Sequence, residues 1–433
     1  MSLNNDKENT IFIGYEKNVP IMLPFENKFD NTLILGSAGC GKTFRTLKPM
    51  IEQDIQHFGE TIGLTVLCAN SDLSNHVVNK TLQHNHEIKQ AISNGTYNKE
   101  TYGEYKTIIH FDYELENCPY FNPLEGNEND VINTITYAFL QIYADAPEFF
   151  KDTAKILIRN SIKVVKNLYG DDATLSDLQT VICNPEDKGL SSVLATKNLP
   201  DDVRKWFIYD YYSENTKTFE NTSGIQKLFQ KIMDNHNLKK ALVPPKKGED
   251  KYNEFLEFKE VCEKNNMPYK LNFDEALKNG YVVVINTANN SLRELGRFLG
   301  LLMVHRLQVA IRSRLANRNI RTPNMIYIDD FPLFSNSRIC DILPLSWTLQ
   351  VGIHLATTSA AQMGVGHGLN AVFMIDTILN NTKNKIVYSN SSAKDIHILS
   401  KFFELNEDDM KDKLTTGIAI CRTNGKNNII TNV

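Results

Sequence analysis

Short apolar runs recur along the chain, and between them apolar residues return every three or four positions. Runs of this length are typical of buried strands, and the intervening period is that of amphipathic helices. The alternation predicts an α/β protein with a doubly wound sheet. The predicted strands are 32–35, 62–68, 107–111, 281–285, 325–328, 353–357 and 385–388.

The pattern changes between residues 140 and 275, where long periodic segments such as 154–165 replace the strand-like runs. We therefore expect an all-helical domain at 140–275, inserted into a sheet domain whose two parts are residues 1–139 and 276–433. The longest apolar stretch, 295–311, contains Arg297, His305 and Arg306. Charged side chains at these positions argue against a membrane span and favour a buried amphipathic helix.

The residues after the first strand match the phosphate-binding loop pattern G-x-x-x-x-G-K-[ST] at every fixed position. Glycines let successive backbone N–H groups face phosphate oxygens, and the following helix turns its positive end the same way. The alternative is a glycine-rich turn that binds no ligand. We expect the cofactors ATP and Mg²⁺, bound by Gly36, Ser37, Ala38, Gly39, Cys40, Gly41, Lys42 and Thr43. In such loops the lysine reaches the β- and γ-phosphates and the last hydroxyl holds Mg²⁺.

A second, acidic half of the site is expected at the end of another buried strand. The apolar run 325–328 is followed by Asp329 and Asp330. We predict that Asp329 is a Mg²⁺ ligand acting through water. A strand that ends in a solvated turn is the alternative.

Composition and charge narrow the class of protein. An apolar content of 42% and a charged content of 23% are ordinary for a soluble globular protein. The net charge of −4 argues against a surface that coats duplex DNA, so any nucleic-acid contact must be local. The arginine-rich run 311–321 is one such contact or a solvated helix end. Seven scattered cysteines without a C-x-x-C pair indicate reduced thiols in the cytosol.

Further segments stand in an order and spacing similar to one family of P-loop ATPases. Together with the phosphate loop they cover most of the chain from residue 12 to residue 422, and they are 13–24, 121–124, 174–178, 223–225, 295–312, 352–362 and 378–387. Their order resembles the soluble region of type IV coupling proteins, the TraG/TraD class of conjugative DNA-transfer ATPases.

The resemblance implies a RecA-like P-loop core with an inserted all-α domain. It also implies a ring of six subunits in which ATP lies between neighbours and hydrolysis moves DNA, expected to be single-stranded, through the centre. The implied partners are DNA, a relaxase or other transfer proteins, and a type IV secretion channel. The implied location is the cytoplasmic face of the cell membrane. A partner, or an N-terminal anchor preceding this sequence, would provide the attachment.

Several positions depart from the family pattern. Asp330 stands where a glutamate commonly orients the attacking water, Leu349 where an arginine is usual, and Thr358 where the family has the first of two glutamines. The second glutamine is Gln362, which the resemblance assigns to sensing the γ-phosphate. Arg338 or Arg422 is a candidate for the missing positive charge, and a surface arginine is the alternative for both.

Three functions follow in order of preference. The first is an ATP-driven DNA-transfer motor of the coupling-protein kind. The second is another ring ATPase, such as a secretion-energising or chromosome-segregation motor. The third is a nucleotide-binding adaptor with weak or no turnover, to which the substitutions at 330, 349 and 358 point.

Overall fold

The computed structural model describes residues 10–57, 61–184, 189–265, 267–316, 321–389, 392–414, 418–423 and 425–430. All the strands that the apolar runs predict are present, and their bounds differ from the predicted ones by at most two residues. The strands are β1 (Thr10–Glu16), β2 (Val19–Pro24), β3 (Thr32–Leu35), β4 (Gly63–Cys68), β5 (Ile108–Asp112), β6 (Val282–Asn286), β7 (Asn324–Ile328), β8 (Val351–Thr357), β9 (Asn384–Tyr388), β10 (Ala419–Thr423) and β11 (Lys426–Ile430).

In the described residues, nine strands form one sheet in the order β11-β10-β9-β3-β8-β7-β4-β6-β5. Parallel pairing joins β9, β3, β8, β7, β4 and β6. Every residue of these six strands is buried, because helices cover both faces of a parallel sheet. The strands therefore appear in the sequence as mainly apolar runs. The predicted α/β fold class is confirmed. Since β3, β8 and β7 are parallel neighbours, the loops that follow them lie at one edge of the sheet.

Four strands were not predicted from the apolar pattern. Strands β1 and β2 form a separate antiparallel hairpin, while β10 and β11 continue the large sheet in antiparallel pairing. Strand β2 has exposed and buried positions in alternation, and β11 begins with exposed polar residues. Half-exposed antiparallel strands do not produce the long apolar runs by which buried strands are recognised.

Helices occupy most of the remaining chain. They are α1 (Lys48–Ile55), α2 (Ser71–Ser93), α3 (Lys99–Tyr102), α4 (Glu128–Ile142), α5 (Glu148–Tyr169), α6 (Leu175–Cys183), α7 (Leu190–Ala195), α8 (Asp201–Trp206), α9 (Thr218–Asn221), α10 (Ser223–Asp234), α11 (His236–Leu242), α12 (Tyr252–Lys264), α13 (Phe273–Asn279), α14 (Asn289–Leu292), α15 (Glu294–Ser313), α16 (Ile339–Ile342), α17 (Ser346–Leu349), α18 (Ala371–Asn381), α19 (Ala393–Phe403) and α20 (Glu407–Lys413). Two further segments, Lys42–Leu47 and Phe207–Tyr211, have π-helical hydrogen bonding. Within the described ranges, no helix is both long enough and apolar enough to cross a bilayer.

The chain divides into two compact units. The sheet unit comprises the residues up to His110, residues 273–290 and the residues from Leu307 onward, and the helical unit comprises 111–272 and 291–306. The domain boundaries expected from the sequence, between 139 and 140 and between 275 and 276, stay a prediction.

The helical unit has its own apolar core, to which an aromatic segment contributes. Phe207 and Tyr211 are fully buried, and the ring of Trp206 stacks on Tyr211 with a centroid distance of 5.3 Å. The Tyr211 hydroxyl donates to the carbonyl of Ile182 at 2.8 Å. These rings therefore pack the interior of the unit, although the neighbouring Tyr209 is exposed.

Candidate nucleotide-binding site

The phosphate loop joins β3 to the helical segment that begins at Lys42, as its sequence predicts. Gly39 and Gly41 have φ angles of +77° and +109°, which side-chain-bearing residues rarely adopt. Gly36 is required for a different reason, because a Cβ atom there would lie 2.7 Å from both the Cys40 Sγ and the Tyr388 Cβ. The loop thus depends on glycine both for backbone bending and for close packing.

The helix after the loop presents its amino end to the phosphate-loop backbone. Its first hydrogen bond runs from the N–H of Arg45 to the carbonyl of Gly41 at 2.7 Å. The first turn is π-helical, and regular α-helix begins at Lys48 with Pro49 in its first turn. Backbone N–H groups at a helix start have no partner within the helix and carry a partial positive charge. They are suited to an anionic ligand such as a phosphate.

Lys42 is held over the loop by backbone carbonyls. Its Nζ donates to the carbonyl oxygens of Gly36 at 2.6 Å and Ser37 at 3.0 Å. The side chain is buried, so the ammonium lies inside the concavity of the loop and not in bulk water. This position lets the lysine exchange carbonyl partners for phosphate oxygens.

Thr43 and Asp329 meet although 286 positions separate them in the chain. The Thr43 hydroxyl donates to the Asp329 Oδ2 at 2.9 Å. Burial raises the pKa of the Asp329 carboxyl above its ordinary value of 3.8, and the negative charge of Asp330 acts in the same direction. A desolvated carboxylate beside a hydroxyl is a pair of hard oxygen ligands of the kind that Mg²⁺ takes.

The donor set fits magnesium shared with a nucleotide better than a cation bound by protein alone. Among the described residues, no group of three or more His, Cys, Asp or Glu side chains is placed to hold a metal ion. Mg²⁺ commonly uses one or two carboxylates and completes its coordination with waters and substrate phosphates. Thr43 and Asp329 are sufficient for that mode.

Strand β8 brings a third loop to the same edge, because it lies between β3 and β7. The N–H of Gly36 donates to the carbonyl of Thr357, the last residue of β8, at 3.3 Å. The loop that follows β8 therefore begins beside the phosphate loop. Its first residue is Thr358, whose hydroxyl donates to the Oε1 of Gln362. Gln362 is exposed on the short 3-10 helix Ala361–Gly364.

Asp330 follows Asp329 with a left-handed backbone, φ 51° and ψ 45°, and its N–H donates to the Asp329 Oδ1 at 3.1 Å. The structure thus joins Lys42, Thr43 and Asp329 to one another or to the loop by side-chain hydrogen bonds. Asp330 and Gln362 lie at the same edge. Within the described ranges, neither side chain bonds to the phosphate loop.

The remaining predicted positions lie elsewhere. Leu349 precedes β8 and is fully buried at the amino edge of the sheet, opposite the phosphate loop. Arg422 pairs in register with Lys385 near the amino end of β9, and its guanidinium is 2.6 Å from Glu404. Arg338 is half-buried at the start of α16, eight positions after Asp330. In the described part of the chain, none of the three side chains forms a hydrogen bond or ion pair with residues 36–43.

Two residues at this edge were missed by sequence reasoning. Tyr388 ends β9, packs against Gly36 and shares a hydrogen bond of 2.6 Å with the Thr46 hydroxyl. Asp395, near the start of α19, accepts hydrogen bonds from the loop after β8. The S-x-x-D pattern of Ser392 and Asp395 is a recognisable helix-start signal, but a cap alone does not reveal the second segment that it contacts.

Comparison with known proteins supports the fold. No protein-family model matches the chain, and no curated protein matches it by sequence. Among solved structures, plasmid coupling protein TrwB in complex with the non-hydrolysable GTP analogue GDPNP is similar, with a TM-score of 0.58 at 12% identity, over 96% of this chain and 88% of that one. TrwB with ADP and Mg²⁺ gives 0.57 at 12% identity over 96% and 87%.

VirB4 of Thermoanaerobacter pseudethanolicus is similar as well, with a TM-score of 0.54 at 11% identity over 98% of this chain and 96% of that one. These matches extend over nearly the whole length of all the chains compared. The predicted resemblance to coupling proteins is confirmed at the level of the fold. The chain has a RecA-like α/β fold, and its structure is similar to those of TrwB and VirB4.

Proposed function

We propose that the chain binds MgATP between the phosphate loop and Asp329 and hydrolyses it. In this proposal Lys42 contacts the β- and γ-phosphates, Thr43 holds Mg²⁺ and Asp329 holds it through water. Asp330 orients the attacking water and Gln362 senses the γ-phosphate. When bound, Mg²⁺ would neutralise part of the negative charge of the phosphates.

The observation that carries the proposal is the 2.9 Å hydrogen bond between Thr43 and Asp329. It joins a complete phosphate-loop pattern to an acidic residue at the end of a buried neighbouring strand. Two separate sequence signals therefore meet in one place. A glycine-rich turn without a ligand has no reason to lie beside a buried carboxylate.

We propose further that hydrolysis drives transfer of DNA, or of a DNA–protein substrate, in a conjugative or type IV secretion system. The similarity to plasmid coupling protein TrwB over 96% of this chain supports this, since it includes the helical unit as well as the sheet unit. The proposed partners are single-stranded DNA, a relaxase or another transfer protein, and the secretion channel. The proposed assembly is a ring of six at the cytoplasmic face of the membrane.

A second candidate is a secretion-energising ATPase that does not handle DNA itself. The structural similarity to VirB4 has a TM-score of 0.54, close to the 0.58 for TrwB, so the fold supports this candidate about as well as the first. A third candidate is a docking adaptor that binds nucleotide with little turnover. The leucine at position 349 supports it, because this position carries no charge where the resemblance expects an arginine, and loss of an arginine that acts in the transition state costs about 10³–10⁵ in rate in related phosphate chemistry.

The test is ATP hydrolysis by the purified protein, alone and with single- or double-stranded DNA. Lys42→Ala should abolish turnover and weaken binding of a non-hydrolysable ATP analogue. Lys48→Ala is the matched control, since Lys48 is also buried on the same helix but bonds to Asp72 at 2.9 Å. Stimulation by DNA supports the transfer motor, and turnover indifferent to DNA supports the secretion ATPase. Tight analogue binding without turnover supports the adaptor, and no affinity for analogue with Mg²⁺ rejects all three.

A further inference from the structure

A buried carboxylate links α19 to the loop that follows β8. Asp395 is the third residue of α19 and is 1% exposed. Within the described residues it has no cationic partner. Its charge is stabilised by hydrogen-bond donors and by the positive end of the helix, where a carboxylate is favoured.

The two oxygens of Asp395 serve different segments. Oδ2 accepts from the hydroxyl of Ser392, which caps the same helix, at 2.7 Å. Oδ1 accepts from the N–H of Ala360 at 2.8 Å and from the hydroxyl of Ser359 at 3.2 Å. One oxygen therefore bonds to the serine side chain that caps α19, and the other holds the loop after β8.

Other helix starts in the chain show that capping does not require the second set of bonds. In α20, the Asn406 side chain donates to the Asp409 carboxylate at 2.7 Å and accepts from the Asp409 N–H at 2.7 Å. Asp409 is exposed and contacts no distant segment by hydrogen bond in the part of the chain described. The bonds from Asp395 to Ser359 and Ala360 are thus additional to a cap.

The loop that Asp395 holds is the one that carries Gln362. Its first residues are tied to the phosphate loop by the bond from the N–H of Gly36 to the Thr357 carbonyl. Its middle is tied to Asp395 through Ser359 and Ala360. Gln362 follows two residues later, so its backbone position is set relative to the phosphate loop by these two attachments.

We propose that Asp395 is a positioning residue for the loop 358–364 and places Gln362 for its role at the γ-phosphate. The inference rests on the proposed function for its effect on catalysis. The dependence of this loop on one buried carboxylate does not rest on the proposed function. Misplacement of a catalytic group by about 1 Å lowers a rate by roughly 100-fold, whereas ground-state binding through the phosphate loop need not change.

The test compares Asp395→Ala, Asp395→Asn and the control Asp409→Ala. Asp395→Ala should lower kcat by roughly 10- to 100-fold and change the affinity for a non-hydrolysable ATP analogue by less than about twofold. Asp395→Asn should recover most of kcat, because its amide oxygen still accepts from Ala360. Asp409→Ala removes the same kind of cap contact from α20 and should leave kcat at the wild-type value.

Hydrogen–deuterium exchange gives a second readout that does not depend on turnover. Asp395→Ala should speed exchange in residues 358–364 by about tenfold or more and leave residues 36–43 unchanged. Unchanged exchange in 358–364, or a loss of kcat matched by an equal loss of analogue affinity, overturns the inference. Failure of the proposed function has a different signature, namely no analogue binding by the wild-type protein.

Discussion

A buried ion pair beneath the sheet allows a quantitative prediction. Lys28 and Asp54 are 2% and 3% exposed and form a salt bridge through Nζ and Oδ1. The Tyr327 hydroxyl donates to the Asp54 Oδ2 at 2.6 Å and accepts from the Lys28 Nζ at 3.2 Å. Burial lowers the pKa of Lys28, and the charge of Asp54 opposes that shift. The group connects the end of α1 to β7, two residues before Asp329.

The expected magnitudes follow from what each substitution leaves behind. Lys28→Met leaves a desolvated carboxylate with a single hydroxyl donor, and removing one partner of a buried pair costs about 3–5 kcal/mol. Tyr327→Phe removes hydrogen bonds to charged groups and should cost about 1.5–3 kcal/mol. The double variant Lys28→Met with Asp54→Leu leaves no buried charge, and its stability should lie within about 2 kcal/mol of the wild type.

Urea unfolding followed by tryptophan fluorescence measures these differences. The chain has two tryptophans, Trp206 in the helical unit and Trp347 in the sheet unit. In a Trp206→Phe background, Trp347 alone reports on the unit that contains the ion pair. The reasoning is refuted if Lys28→Met lowers the free energy of unfolding by less than about 1 kcal/mol. It is also refuted if the double variant loses as much stability as the sum of the losses in Lys28→Met alone and Asp54→Leu alone.

Three further predictions concern the loop and one buried lysine. Gly36→Ala should weaken binding of an ATP analogue roughly tenfold or more, because overpacking costs about 1–3 kcal/mol, whereas Gly39→Ala meets no atom within 4 Å and should cost only about 1 kcal/mol in backbone strain. Alkylation of the half-buried Cys40 should block analogue binding, and Cys40→Ser should retain binding in the same calorimetric assay. Burial, and after it the charge of Arg422, lowers the pKa of Lys385 from 10.5 to about 8, so the folded state disfavours the charged form. The free energy of unfolding should therefore rise between about pH 8 and pH 10.5, by at most roughly 3 kcal/mol, and Lys385→Met should show no such rise.

The sequence predicted the fold class and the phosphate loop, because both depend on local information. Strands buried on both faces consist mainly of apolar residues, so β3, β4 and β7 are recognisable as apolar runs. The phosphate loop needs glycines, a lysine and a hydroxyl at set spacings, so eight consecutive residues contain the whole signal. Strands β2 and β11 were missed because half-exposed strands carry mixed residues.

The sequence did not predict where residues that depart from the family pattern, or that could compensate for a departure, lie in the fold. Leu349 stands where the family has an arginine, and Arg422 was one of two candidates, with Arg338, for the missing positive charge. The structure places both toward the amino edge of the sheet, Leu349 in the core and Arg422 in an ion pair with Glu404. Nothing in the residues themselves indicates that edge, since it follows from the direction and order of the strands.

By itself, the sequence determined which residues could bind phosphate and which segments form seven of the nine strands of the large sheet in the described residues. Tertiary structure alone decided that β8 lies between β3 and β7, that Thr43 meets Asp329, and that Asp395 holds the loop carrying Gln362. Backbone conformation and strand burial can be predicted from local sequence patterns, because they depend on residues that are neighbours along the chain. Contacts between residues hundreds of positions apart depend on strand order, which no local pattern contains.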